Sequence, residues 1–257
     1  MIGFFIILIL VITGYYILNP VKPKVNKNVP ELILDEELLN DNIAFYRKLN
    51  DEDKVRFKQE IKDFVSYVTI TGVGTEVTNL QRIMVASSAV IPVFAFPGSR
   101  YPNLEEVLLY PDSFNMEFET SGNNSRDIAG MVGTGFMNGK MILSKHALEE
   151  GFSNKTDKRN TAIHEFVHLV DKSDGDIDGI PEHLLDKQYV LPWLDLVHKE
   201  MMKIKEGDSD IDAYGYTNKS EFFAVAAEYF FERPDILKNK HPELFAMMQR
   251  IFIPQNK

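Results

Sequence analysis

The sequence predicts an α+β protein. Three observations carry this: stretches of helical amphipathic period, a few short apolar runs of strand length, and no regular strand–helix alternation. Leu49–Val68 opens on Asn50 or Asp51 as a helix cap followed by acids. Val55, Phe57, Ile61, Phe64, Val65 and Val68 then fall mostly on one face. NLQRIMVASSAVIPVFAF is apolar enough for a buried helix ending before Pro92, and EVLLYP (Glu106–Pro111) reads as a strand. Asn138-Gly139 between two apolar runs is a hairpin signal, whose second arm, Lys140–Ser144, leads towards a helix near Thr161. A Gly- and Asp-rich loop follows Asp171, then helices around Leu191–Lys205 and Ser220–Phe231. Trp193, with Leu191, Leu194 and Val197, is assigned to the core.

Composition narrows the function. With 44% hydrophobic and 26% charged residues among 257, the chain is ordinary globular material. A net charge of −10 argues against nucleic acid, since nothing would neutralise phosphates in bulk. There is no cysteine, which excludes disulfides, thiolate metal sites and a cysteine nucleophile. Any metal must rest on His, Asp and Glu, with six histidines to draw from.

MIGFFIILILVITGYYIL, Met1–Leu18, carries no charged side chain. At about 1.5 Å per residue it covers roughly 27 Å, close to a bilayer's hydrocarbon thickness. It lacks the basic start and small-residue cleavage site of a signal peptide. The expectation is a single transmembrane helix over residues 1–19 and a Lys/Pro linker over 20–30. The globular domain then spans 31–257. Lys22, Lys24 and Lys27 lie only on the far flank, so the positive-inside rule puts the domain in the cytoplasm.

The chemistry sits in TAIHEFVHLVDKSDG (Thr161–Gly175). Residues four apart on a helix differ by about 40° in direction, so His164 and His168 can meet at one ion. Glu165 is turned about 100° away, able to reach a water but not comfortably the ion. That arrangement fits Zn²⁺ with a carboxylate base. A shuffled chain would contain the motif about once in a hundred, and a core helix with backbone-bonded histidines is the plain alternative. Ile163, Phe166, Val167 and Val170 would bury the pair, and buried histidines need partners.

A catalytic zinc needs one more protein ligand and one open position. Asp171 lies on the same face, three residues past His168, and reads as a supporting acid. Glu182 and Glu200 have no supporting context. In DAYGYTNKSEFFAVAAEYFFERP, Glu221 falls in the first turn of an apolar helix capped by Asn218 or Ser220, seven residues after Tyr214. Glu228, two turns further on, is the rival ligand or an acid orienting a histidine. His146, His183, His198 and His241 have no partner spacing and are assigned to the surface. DGDIDG (Asp174–Gly179) resembles a calcium-loop opening, but its twelfth position is Leu185, where a bidentate glutamate is needed.

HEFVHLVD, DG..DGIP, the tryptophan and DAYGYTNKSEFFAVAAEYFFE together resemble the Mlc titration factor A family of zinc metallopeptidases. LLYPDSF and the strand ending MILS resemble that family's upstream segments. The Tyr-six-residues-Glu-Phe-Phe-Ala element is also similar to the catalytic domain of anthrax lethal factor. The resemblance implies a zincin-like metallopeptidase domain with His164, His168 and Glu221 as zinc ligands. It implies Glu165 as general base and Tyr214 beside the metal as oxyanion donor. The expected substrate is a peptide or protein, held by strand addition if Lys140–Ser144 is the sheet edge. The resemblance also allows a zinc-containing binding protein that sequesters a transcription regulator.

Overall fold

Capping chemistry sets the first helices. Asp35 accepts from the N–H groups of Glu37 and Leu38 to start α1 (Glu36–Asn42), which the short α2 (Ala44–Arg47) follows. Asn50 accepts from Asp53 N–H to start α3 (Asp51–Tyr67), whose Phe57, Ile61 and Phe64 are buried. This computed structural model describes residues 32–113, 128–132, 138–154 and 156–253. A capping box, Thr78 with Gln81, opens α4 (Asn79–Val90), almost wholly buried as its composition requires.

The described strands are β1 (Thr69–Gly72), β2 (Glu106–Tyr110), β3 (Gly130–Val132) and β4 (Lys140–Ser144), in the order β1-β2-β4-β3. β1, β2 and β4 run parallel, and β3 pairs antiparallel with β4, Met131 opposite Ile142. Helices segregate around this small sheet in an α+β arrangement, with one departure. β1, α4 and β2 form a βαβ unit, unexpected because TITG is too short to announce a strand.

Several expectations are corrected. The described residues give no support to the membrane-anchored, cytoplasm-facing assignment: none of their helices is long and apolar enough to cross a membrane, and Met1–Leu18, where the span was expected, lies outside them. Lys140–Ser144 is not the sheet edge, because β2 and β3 flank it on either side. The antiparallel pair exists, but residues 133–140 separate Val132 from Met141, so Asn138-Gly139 is not a two-residue tip. Gly139, at φ +87, instead turns its carbonyl to the N–H groups of Glu105 and Glu106. Trp193 is fully buried and Val197 lies in the core, but Leu191 is 72% exposed.

His241 is the largest miss among the histidines. It is buried, with Nδ1 2.8 Å from Glu200 and Nε2 2.8 Å from Asp210, while His146, His183 and His198 are exposed. Glu200 also pairs with Lys203, and Asp210 with Lys158, Lys240 and the Tyr229 hydroxyl. Such pairing is what allows ionised groups in a core.

The remaining helices are α5 (Lys145–Ser153), α6 (Thr161–Asp171), α7 (Val190–Glu206), α8 (Lys219–Glu232), α9 (Pro234–Lys240) and α10 (Pro242–Phe252). α6 packs on α8, α4 and β3. Its Ile163, Phe166 and Val167 are buried, Phe166 against Phe64 and Tyr101 at ring distances of 5.7 and 5.2 Å. At roughly 1.5–3 kcal/mol for each such side chain, burial fixes the helix before any polar contact is counted. With its apolar side committed to the core, α6 turns His164 and His168 towards α8.

Candidate metal centre

Asn160 caps α6 by accepting from Ile163 N–H, and Asn218 caps α8 by accepting from Glu221 N–H. These caps fix where each helix begins, and so where its polar residues fall. His164 Nε2 lies 3.1 Å from His168 Nε2 and 2.9 Å from Glu221 Oε2, and His168 Nε2 is 3.3 Å from that oxygen. Among the described residues this is the one group of three metal-binding side chains that converges, its ligand atoms within 4.8 Å of one another.

The outer face of each imidazole is already engaged. His164 Nδ1–H donates to Glu228 Oε1 at 2.7 Å, and Glu228 Oε2 accepts the backbone N–H of Asn160 at 2.6 Å. His168 Nδ1–H donates to Ser220 Oγ at 3.0 Å, and that hydroxyl donates to Asp171 Oδ2 at 3.3 Å. Asp171 also accepts from Gly179 N–H, so the Asp- and Gly-rich loop is pinned to the end of α6. Gly179 sits at φ +78 with the Lys219 carbonyl where a Cβ would go, 2.4 Å away. Loop and α8 therefore meet at a position only glycine fits. With both Nδ1 atoms engaged from outside, both Nε2 atoms face the shared space, where each offers a lone pair to a metal once unprotonated.

Charge follows the geometry. Burial pulls the His164 pKa down, but Glu221 and then Glu228 overcome this and raise it to about 10. Burial pushes Glu221 up, yet the two histidines hold it down at about 2. Burial raises Asp171 to about 6 despite the Gly179 bond. Glu165 is 6% exposed, and burial raises its pKa as well. No hydrogen bond holds its carboxylate among the described residues.

Tyr214 stands on the 3-10 turn Ala213–Tyr216, its ring 6.0 Å from that of His164 and its side more than half exposed. Asp212 fixes that turn by accepting Tyr214 N–H at 2.9 Å, and is itself held by Arg159. His164, Glu165, His168, Tyr214, Glu221 and Glu228 all line a cleft of about 890 Å³ bounded on one side by β3. Glu182 and Glu200 are not in its lining; Glu200 belongs to the His241 cluster. Sequence reasoning passed over Ser220 except as a cap, and Asp212, Arg159 and Gly130 altogether.

The family model of the glucose-regulated metallo-peptidase M90 matches residues 24–253. The chain belongs to that family. Relatives of the M90 chain include Mlc titration factor A of Escherichia fergusonii, 28% identical over 79% of this chain and 80% of its own. The Mlc titration factor A of Pectobacterium atrosepticum is 27% identical over 68% of this chain and 69% of its own. An uncharacterised Synechocystis protein, slr2042, is 26% identical over 84% and 82%. Membership makes the chain a metallopeptidase by family and implies a bound metal ion, for which His164, His168 and Glu221 are the candidate ligands.

Proposed function

We propose that the chain is a zinc-dependent peptidase with a zincin-like domain, in which His164, His168 and Glu221 hold the metal. The convergence of two imidazole Nε2 atoms and a carboxylate carries this reading. Tetrahedral ligands at zinc bond lengths of ~2.0–2.1 Å stand roughly 3.3 Å apart. The observed separations of 2.9, 3.1 and 3.3 Å come close to that. Two facing lone pairs 3.1 Å apart also repel unless a cation or proton lies between them. Bound there, zinc would supply a Lewis acid that polarises the scissile carbonyl and makes water easier to deprotonate.

The remaining work falls to the chain. Glu165 lines the cleft outside the ligand set, with a pKa raised by burial and, among the described residues, no hydrogen bond to compete for its carboxylate. It takes the proton of the attacking water and passes it to the leaving amine. The Tyr214 hydroxyl makes no hydrogen bond among the described residues and donates to the oxyanion as it develops. β3, the edge strand among the described residues and a wall of the cleft, takes over the role expected of Lys140–Ser144 and receives an extended peptide by strand addition.

The name Mlc titration factor A belongs to the relatives, and a sequestering role here would leave the buried carboxylate of Glu165 without a task. Glu165→Gln separates the two readings. It keeps size and removes the base, so zinc content should persist while peptide-library turnover falls about 10²–10⁴-fold. Equal turnover in wild type and variant would sink the mechanism.

A further inference from the structure

We propose that Gly130 is a positioning residue for the general base, its missing side chain letting the edge strand bear directly on Glu165. The proposal rests on the peptidase reading and extends it to a residue outside the two metal-bearing helices.

A Cβ built on Gly130 would lie 2.8 Å from both Cγ and Oε1 of Glu165 and 2.9 Å from Cγ2 of Thr161. Ordinary carbon contacts begin about 3.5 Å apart. Gly130 is not among the residues with positive φ, so it is not there for backbone conformation. It is there for space, as a glycine inside a strand usually is where another group approaches closely. The strand cannot easily retreat. Met131 and Val132 pair with Ile142 and Met141, and Ala129 accepts Ser144 N–H at 2.7 Å.

The two neighbours differ in what holds them. Thr161 is the first residue of α6, locked behind the buried Asn160 cap. The Glu165 carboxylate ends a flexible side chain with no hydrogen bond among the described residues, so an added methyl group displaces it first. Opening 2.8 Å to an ordinary contact moves the carboxylate by roughly 1 Å, and a misplacement of that size costs about 10²-fold in rate. Seen the other way, β3 does two jobs at once: its edge receives the peptide and its face sets the base.

The test uses the full chain loaded with zinc. Gly130→Ala should lower kcat about 10–100-fold, leave KM within about threefold and leave zinc content unchanged. Glu165→Gln, assayed beside it, distinguishes the two failures. Wild-type turnover in Glu165→Gln would remove the peptidase reading itself. An inactive Glu165→Gln with a fully active Gly130→Ala would leave that reading standing and overturn the positioning role. A second readout needs no activity. Gly130→Ala should lower the melting temperature of wild type more than that of Glu165→Ala, where the crowding carboxylate is gone. If Gly130→Ala alone does not fold, the double variant should recover. An equal penalty in both backgrounds, or a double variant no better than the single, would overturn the proposal.

Discussion

Glu228→Ala tests the support of the metal centre from behind. Glu228 is 6% exposed, and its carboxylate makes two short bonds, accepting from His164 Nδ1 at 2.7 Å and from Asn160 N–H at 2.6 Å. Losing the charge-assisted bond to His164 removes about 1.5–3 kcal/mol. The Asn160 N–H is then left buried without an acceptor, a further ~1–3 kcal/mol, at the cap of the helix that carries both histidines. The metal-free protein should therefore lose roughly 3–5 kcal/mol. Zinc affinity should fall about 10–100-fold, because His164 loses the acceptor that orients its ring. Chelator competition reads the affinity, and denaturant unfolding of the metal-free forms reads the stability. Glu221→Ala, in contrast, removes a proposed ligand and should strip most of the bound zinc. If Glu228→Ala were zinc-free while Glu221→Ala kept its full complement, the two acids would have exchanged roles and the reasoning would be refuted.

Tyr214→Phe should reduce kcat about 10–10³-fold with zinc retained, since one oxyanion donor among several stabilising groups is lost; steady-state kinetics on a cleaved peptide decides it. The His241 cluster gives stability a pH window. Glu200 and then Asp210 raise the His241 pKa against burial, so its contribution is complete below about 6.5 and is lost as pH rises through the raised value. Burial pushes Glu200 and Asp210 up, but His241 with Lys203, and Lys158 with Lys240, hold them below their ordinary values. Their contribution is therefore present above about 4.5 and lost on acidification. Cluster stabilisation should peak between about pH 4.5 and 6.5. His241→Ala should cost about 3 kcal/mol there and less at pH 9, by urea unfolding at both; an equal cost at the two pH values would count against the charged pairing.

What the sequence made legible was local. The Asn50 cap, the β2 run and the spacing of His164, Glu165 and His168 are each written within one helix turn or one strand. Glu221 and Tyr214 became legible through a longer motif, because nothing in spacing alone selects one acid among several. What escaped depends on distance along the chain. His241 meets Glu200 and Asp210 across 41 and 31 residues, so its burial leaves no local mark. β1 is four residues of unremarkable composition, and the interior place of β4 is settled only once β1 and β2 stack beside it. Gly130 reads as an ordinary glycine until Glu165 is folded against it.

Glu221 and Glu228 share one helix, seven residues apart, and face α6 together. Seven residues bring a helix round to within about 20° of the same direction, and one inserted residue swings everything after it by about 100°. The chain therefore has two kinds of length. Between α6 and α8 an added residue at the exposed Asp176 can be absorbed by the loop, leaving both helices in register. Between Glu221 and Glu228 a single added residue would leave one acid in place and carry the other away. Drift in this protein is thus free to change the length of its connections and bound to keep the count inside α8.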